Sequence, residues 1–247
     1  DNVSIGDSIF HAGDANTAIR FPANDTFTVE TAGSERLRVN SSGLVGINTN
    51  NPSKQLQVHE GDSTASEIKF SNSTTGTSLT DGFDVGIGAD EQAQLWNNEN
   101  TYMRFATNNT ERMRIDNNGV VIVNATTARE DFDNDTSNRP IFQLESAVDE
   151  YDSTISLVHN ENLAQSSSSI FFGKTRSGAV GGTGALNDVG YTLGKITFQG
   201  HDGTTFVEAA RIEGKSSDSP GVGADDMPGE LSFFTTADAG TSATERM

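Results

Sequence analysis

Glu35-Arg36-Leu37-Arg38-Val39-Asn40-Ser41-Ser42-Gly43-Leu44-Val45-Gly46-Ile47-Asn48 recurs, 76 positions on (35 to 111), as Glu111-Arg112-Met113-Arg114-Ile115-Asp116-Asn117-Asn118-Gly119-Val120-Val121-Ile122-Val123-Asn124. Chemical character survives position for position: Leu37 answers to Met113, Val39 to Ile115, and the turn keeps its glycine. A third copy begins at Thr244-Glu245-Arg246-Met247, which matches Thr110 to Met113. Repetition of this kind reports architecture before chemistry. Within each copy apolar and charged residues alternate, the period of a strand with one buried and one wet face. Asn40 to Gly43 and Asp116 to Gly119 then supply turn chemistry, each ending in a glycine free to take positive φ. Each copy reads as a strand, a tight turn and a second strand.

Alternation also puts Glu35 and Glu111 on the parity of the apolar face. Two readings follow. Either the strand starts after the glutamate, or the carboxylate meets an arginine of a neighbouring chain and sets register. Arg36, Arg38, Arg112 and Arg114 read as an outward ladder, paired with acids of adjacent strands.

Composition decides what such strands can build. Of 247 residues, enough for one or two ordinary domains, only 33% are hydrophobic, and mean hydropathy is -0.47. Ordering a residue costs roughly 1–2 kcal/mol, and thin apolar runs do little to offset it. The chain is therefore either disordered or buried against copies of itself. Regular alternation with turn residues at fixed places favours the second. The net charge is -19, from 35 acids against 16 bases, which argues against nucleic acid and anionic membranes as partners. It suits a soluble surface in a salty medium that screens self-repulsion. There is no cysteine, hence neither disulfide framework nor thiolate metal site. No run approaches 18 apolar residues, the length a membrane-inserted helix needs. The chain opens on Asp1 without a basic-then-apolar leader, and we expect it to be a fragment of a longer product.

In chain order, residues 1–52 form a first module carrying repeat copy one, with strands expected at Ile19-Arg20-Phe21 and Phe27 to Glu30. Residues 53–125 form a second β module with copy two, its strands at Leu56 to Val58, Ile68 to Phe70, Phe83 to Ile87, Leu95-Trp96 and Met103 to Phe105. Residues 126–139 read as an acidic linker. Residues 140–247 form a third β module ending at the start of the third copy. Its expected strands are Ile141 to Leu144, Ile155 to Val158, Ile170 to Phe172, Ile196 to Phe198, Phe206 to Ile212 and Leu231 to Phe234. Its long loops are Glu161 to Ser169, Ser177 to Gly190 and Ser216 to Pro228. No window shows a convincing 3.6 period, so helix is limited to a short turn near Asp90 to Gln94. Strands of three to five residues with one thin face do not make a stable solitary sheet. Three chains about one axis bury each face against two neighbours and give strand edges a partner. The expected fold is all-β with very little helix: an elongated homotrimeric fibre of short-strand modules, like an intertwined β-prism or triple β-helix.

The assembled residues resemble the repeat modules of bacteriophage tail fibres, particularly cyanophage-like ones. His11 to Pro22 resembles a module that opens many such fibres. Ser34 to Asn48 with Asn51-Pro52, and Asn108 to Asn124, resemble their Glu-Arg-Met-Arg-Ile-type shaft repeat. Asp81 to Phe105 is similar to an intervening module, and Gly194 to Ile212 with Asp226 to Leu231 to another. The resemblance implies a structural, non-enzymatic shaft in the virion that presents a distal receptor-binding tip for host attachment. Its partners would be two further copies of the chain, other tail or capsid proteins and host surface polysaccharide. Two alternatives stay open: the modules bind host glycans through the loops between 158 and 228, or the fibre is rooted on the capsid as a decoration. A polysaccharide depolymerase is the enzymatic alternative.

The sequence assigns no catalytic, cofactor-binding or metal-binding residue. Asp131, Asp133 and Asp135 stand at alternate positions, but a calcium loop of the EF-hand type needs glycine and glutamate where Thr136 and Phe142 stand. A looser calcium site and a solvated acidic linker are the readings left. His11, His59, His159 and His201 have no partner at ligand spacing. Acid pairs for glycoside cleavage are inevitable among 35 acids and discriminate nothing. Gly178 to Gly184 lacks the Lys-Ser/Thr of a phosphate cradle and reads as a loop. Trp96, Tyr102 and Phe105 are either a sugar-stacking patch or inter-chain core.

Overall fold

The computed structural model describes residues 3–147, 153–162, 167–186, 190–217, 226–238, 240 and 242–246. The chain is all-β, with no helix among the described residues, and divides into two compact units, Asp1–Thr101 and Tyr102–Met247. The division falls inside what the sequence reads as the second module.

In the first unit, β1 (Ser8–His11), β2 (Asp14–Arg20), β3 (Phe27–Thr31), β4 (Ser34–Val39), β5 (Val45–Ile47) and β6 (Leu56–Val58) form one sheet in sequential order. Every pair is antiparallel except β5–β6. A second sheet holds β7 (Ser66–Phe70), β8 (Phe83–Ile87) and β9 (Ala93–Asn97). The expected turn near Asp90 to Gln94 closes the β8–β9 hairpin without helix, with Glu91 at φ 65.

In the second unit, β10 (Met103–Thr107), β11 (Thr110–Ile115), β12 (Val121–Val123) and β13 (Phe142–Leu144) form one sheet. A further sheet holds β14 (Thr192–His201), β15 (Phe206–Ser216), β16 (Gly229–Thr235) and β17 (Thr244–Glu245).

The repeat proves larger than its sequence signature. β3 to β6 and β10 to β13 are the same four-strand unit: Phe27 opposes Val39 as Met103 opposes Ile115, and Val29 opposes Leu37 as Phe105 opposes Met113. Both hairpins turn on two residues of positive φ, Ala32 (51) and Gly33 (71) in one, Asn108 (49) and Asn109 (56) in the other. That is the turn whose twist matches its flanking strands. The next turn is also shared. The Asn40 side-chain oxygen accepts from the amides of Ser42 and Leu44, and Asp116 accepts likewise from Asn118 and Val120. Gly43 (φ 75) and Gly119 (φ 80) take the left-handed position these turns require.

The two copies differ in the loop that returns each fourth strand parallel to the third. Residues 48–55 do this in the first copy and 124–141 in the second. The short loop folds tightly over Gly46, where a Cβ would collide with the Thr49 carbonyl oxygen and stand 3.0 Å from Thr49 Cγ2. The long loop leaves room for Ile122 at the same place, and Ile122 is buried.

Residues 126–139 are not a free linker. The Asn134 amide donates to the Phe206 carbonyl at 2.8 Å, the Phe206 amide to the Asp131 carbonyl at 2.6 Å, and the Phe132 and Phe206 rings stack at 5.0 Å. The segment fastens one sheet of the second unit to the other. Ile155 to Val158 and Ile170 to Phe172, expected as strands, pair with nothing among the described residues. An apolar alternation defines a face, but a strand also needs a hydrogen-bonding partner, and neither segment has one among the described residues. Parts of the three expected long loops (163–166, 187–189 and 218–225) lie outside the described residues.

Candidate functional site: one open apolar face per sheet

Residues directly opposite in a sheet share a face. In the six-stranded sheet, Ile9, Ile19, Val29, Leu37, Ile47 and Val58 stand in one unbroken row from β1 to β6. At about 4.8 Å per strand the row runs roughly 24 Å. Phe27, Val39, Val45 and Leu56 make a second row beside it. Nothing seals these rows: Ile9 is 50% exposed, Ile47 39% and Leu56 54%.

The same face recurs in every sheet. Ile68, Val85 and Leu95 line up across β7 to β9, and Phe105, Met113, Val123 and Leu144 across β10 to β13. Ile196, Ile212 and Phe233 align across β14 to β16, where Phe172 lies against Gly194 at the margin. Meanwhile each sheet buries a polar residue on its other side: Thr28, Asp84, Gln143 and Ser232 in turn. An amphipathic sheet that folds alone seals its oily side and wets the other. These sheets do the reverse.

A compact monomer of 26.2 kDa exposes about 10,600 Å² by the usual scaling of area with mass. This chain exposes 17910 Å². Part of the exposed apolar surface lies in the rows just described, and part on segments outside the sheets such as Ile155, Ile170 and Phe171.

Both readings of Glu35 are corrected by one structural detail. β4 begins at Ser34, ahead of the glutamate, and a bulge intervenes: Glu30 opposes Glu35 while Val29 opposes Leu37, which leaves Arg36 as the extra residue. The bulge reverses parity, so Glu35 joins the side of Arg38 and binds it through two bonds of 2.7 and 2.6 Å. Glu111 and Arg114 repeat the arrangement across a bulge at Arg112, and the Arg114 guanidinium holds the Glu111 carboxyl below the usual carboxylate range. The arginines are therefore not one ladder. Arg38 and Arg114 are satisfied within their own strand, whereas Arg36 and Arg112 are turned toward the apolar side. There Arg36 Nε donates to Thr31 Oγ1 at 3.0 Å and Arg112 Nε to Thr107 Oγ1 at 3.1 Å. The third copy keeps the device: Thr235 opposes Thr244, and Arg246 Nε donates to Thr235 Oγ1 at 2.9 Å.

The other candidates resolve individually. Asp131, Asp133 and Asp135 turn to three separate sets of partners: Arg129 and His201, Lys195 and Asn138, and the Ser137 amide and hydroxyl. Among the described residues no three histidines or carboxylates gather as metal ligands. His201 does have a partner, unseen at sequence spacing. Its Nδ1 accepts from the Gly203 amide at 3.0 Å, so Nε2 carries the proton toward Asp131 at 3.2 Å, and its ring meets Phe206 edge-on. Arg129 lies over the other side of this cluster, 4.9 Å from the Phe206 ring, and holds the Asp131 carboxyl below its ordinary range. A cavity of about 520 Å³ opens beside it, lined by Phe132, Pro140 and Phe142 among others.

His159 meets Glu161 at 3.2 Å, and His59 lines a cleft with Arg36 and Glu60. The Gly178 to Gly184 loop closes on itself: the Gly182 amide donates to the Ala179 carbonyl and the Arg176 amide to the Gly184 carbonyl. Trp96 sits opposite Asp84, on the polar side of its sheet, and is 58% exposed. Phe105 belongs to an apolar row, and Tyr102 receives the Arg114 guanidinium on its face at 4.2 Å.

No protein-family model matches this chain, and no curated protein matches it with significance. The threonines 31, 107 and 235 are what sequence reading missed. Thr31 and Thr107 stand four residues before the repeat signature, one to an offset of 76 from the other (31 to 107), and that regularity was the available signal.

Proposed function

We propose that this chain is a structural fibre segment: three copies close their open apolar faces around a common axis and form the shaft of a phage tail fibre. The shaft holds a distal receptor-binding tip away from the particle for host attachment. The observation that carries the reading is the unsealed row from Ile9 to Val58, repeated in kind on every sheet.

Geometry favours three copies over two. In a triangular prism each wall of length L stands L/(2√3) from the axis. Packed sheets lie about 10 Å apart, so each needs about 5 Å to the midline, which sets L near 17 Å, or about five residues at 3.4 Å each. β3, β7, β8, β9 and β10 are each five residues long. A two-sheet sandwich of faces only two apolar residues wide would leave water at both margins of a thin core. The likeness of the repeats to fibre shafts supplies the biological setting, and the open faces supply the physical need.

Light scattering coupled to size exclusion tests the reading. The expected mass is three chains, unchanged on dilution to micromolar concentration, and a stable single-chain mass refutes it. Imaging of the particle then distinguishes a tail root from a capsid root.

A further inference from the structure

Of the chain's eleven arginines, eight are held by ion pairs or ring contacts among the described residues. Arg20, Arg38, Arg114, Arg129, Arg139 and Arg211 form ion pairs, and Arg104 and Arg176 lie over the rings of Tyr102 and Tyr191. The remaining three are Arg36, Arg112 and Arg246. They occupy the same position in the three copies of the repeat, and none makes an ion pair among the described residues. In a chain of 35 acids and net charge -19, three equivalent cations that form no ion pair among the described residues stand out, even though Glu60 and Glu67 border the same cleft as Arg36.

Their setting is as uniform as their position. Each guanidinium is tethered through Nε by a threonine hydroxyl, Thr31, Thr107 or Thr235. By register these threonines share the parity of Val29, Phe105 and Phe233, residues of the apolar rows. A tether at Nε leaves the two terminal nitrogens free and fixes the plane of the fork. That is the geometry for bidentate capture of an oxygen pair. Arg36 also borders a cleft of about 410 Å³ together with Ile47 and Val58, two members of the long apolar row. The cation therefore stands at the rim of the face, beside the apolar surface rather than within it.

We infer that Arg36, Arg112 and Arg246 are inter-chain register pins: each caps the margin of its apolar face by binding oxygen acceptors of a second copy of this chain. The inference rests on the trimeric reading above. Apolar rows attract without direction and allow a neighbour to slide by one strand. A forked cation at the rim of each repeat accepts only one alignment. Glu35 and Glu111, the residues whose parity first suggested an inter-chain ion pair, are instead consumed inside the strand, and the bulge that consumes them delivers the arginine.

The test uses the whole chain, comparing wild type with Arg36→Gln, Arg112→Gln and the double variant, and with Arg176→Gln as a control outside the repeats. Trimer dissociation is followed by light scattering on dilution at low and at high salt, with circular dichroism reporting strand content. Each repeat substitution removes three equivalent rim contacts per trimer, and we expect about a tenfold weaker assembly at low salt with a smaller salt dependence. Arg176→Gln stays at wild type. Thr31→Val with Thr107→Val, which frees Nε but keeps the charge, reproduces part of the loss. A trimeric wild type whose repeat variants dissociate at the same concentration and with the same salt dependence overturns this inference and leaves the fibre reading standing. A monomeric wild type removes both.

Discussion

Replacing Ile47 by aspartate separates folding of the protomer from assembly. Ile47 is central in the long apolar row, between Leu37 and Val58, and keeps 39% of its surface exposed. In the lone protomer the new carboxylate is wetted on that open side, and the folding cost is the apolar area already covered there, roughly 110 Å² or about 2–3 kcal/mol. In a trimer the same carboxylate is carried into the interior. The apolar area still exposed, about 70 Å² per chain, is worth roughly 1.8 kcal/mol when buried, and the substitution forfeits it. Keeping the buried acid neutral at pH 7 requires a shift of about three pH units, or roughly 4 kcal/mol. Three chains together lose on the order of 17 kcal/mol, close to the whole free energy of the tightest known complexes. Light scattering is therefore expected to give a single-chain mass for Ile47→Asp, with the circular dichroism of strands retained. A trimer that survives the substitution refutes the assignment of this row to the interior. Ile47→Ala, which loses the same packing in the protomer without a charge, serves as the control: a single-chain mass for Ile47→Asp but a trimer for Ile47→Ala assigns the loss to the buried charge.

Gly46→Ala forces a Cβ against the backbone of Thr49 and is expected to cost about 1–3 kcal/mol in a denaturant melt, because a carbonyl cannot swing aside as a side chain can. Ile122→Ala, at the matching position under the longer loop, errs the other way and is expected to lose about 2–5 kcal/mol through a cavity. Asn40→Ala removes the acceptor for the Ser42 and Leu44 amides, with an expected loss of about 1 kcal/mol or somewhat more by the same melt. Asp131 is a group whose pKa is depressed in the fold. Its contribution is full above the ordinary carboxylate value of about 4 and is lost as pH falls through the depressed one. Hydrogen exchange at the Phe206 and Asn134 amides should accelerate across that window, whereas Asp131→Asn should show the faster exchange already at neutral pH.

The repeat, its turn glycines and the apolar parity of Leu37, Val39, Val45 and Ile47 were legible because each depends on residues near in sequence. The bulge was not. Whether Arg36 is an extra residue depends on the strand opposite, and Glu30 and Val29 carry no local mark of it. One unseen insertion reversed the side assigned to Glu35 and divided the arginines into two classes. The docking of residues 126–139 was hidden for the same reason: Asp131 and His201 stand 70 positions apart, and acidic composition reads as solvation until Phe206 is placed beside Phe132. Ile155 to Val158 shows the opposite failure, a pattern that promises a strand which pairs with nothing among the described residues.

An exposed oily surface is ordinarily a hazard, since single sheets with open faces and edges invite indiscriminate pairing. Three features of this chain work against that outcome. Most strands are short, β14 and β15 excepted, so an accidental register gains only a few apolar contacts per strand. The net charge of -19 repels a partner arriving in the wrong orientation until enough apolar area is matched to outweigh it. The polar side of each sheet buries a polar residue such as Thr28 or Ser232, although Trp96 stays 58% exposed on that side of its sheet. Attraction that is weak per strand but summed over a row of six strands rewards full alignment and little else. On the trimeric proposal, a chain built this way gains its interior in the company of its own copies, and repetition of the same four-strand unit extends that interior without requiring a new core.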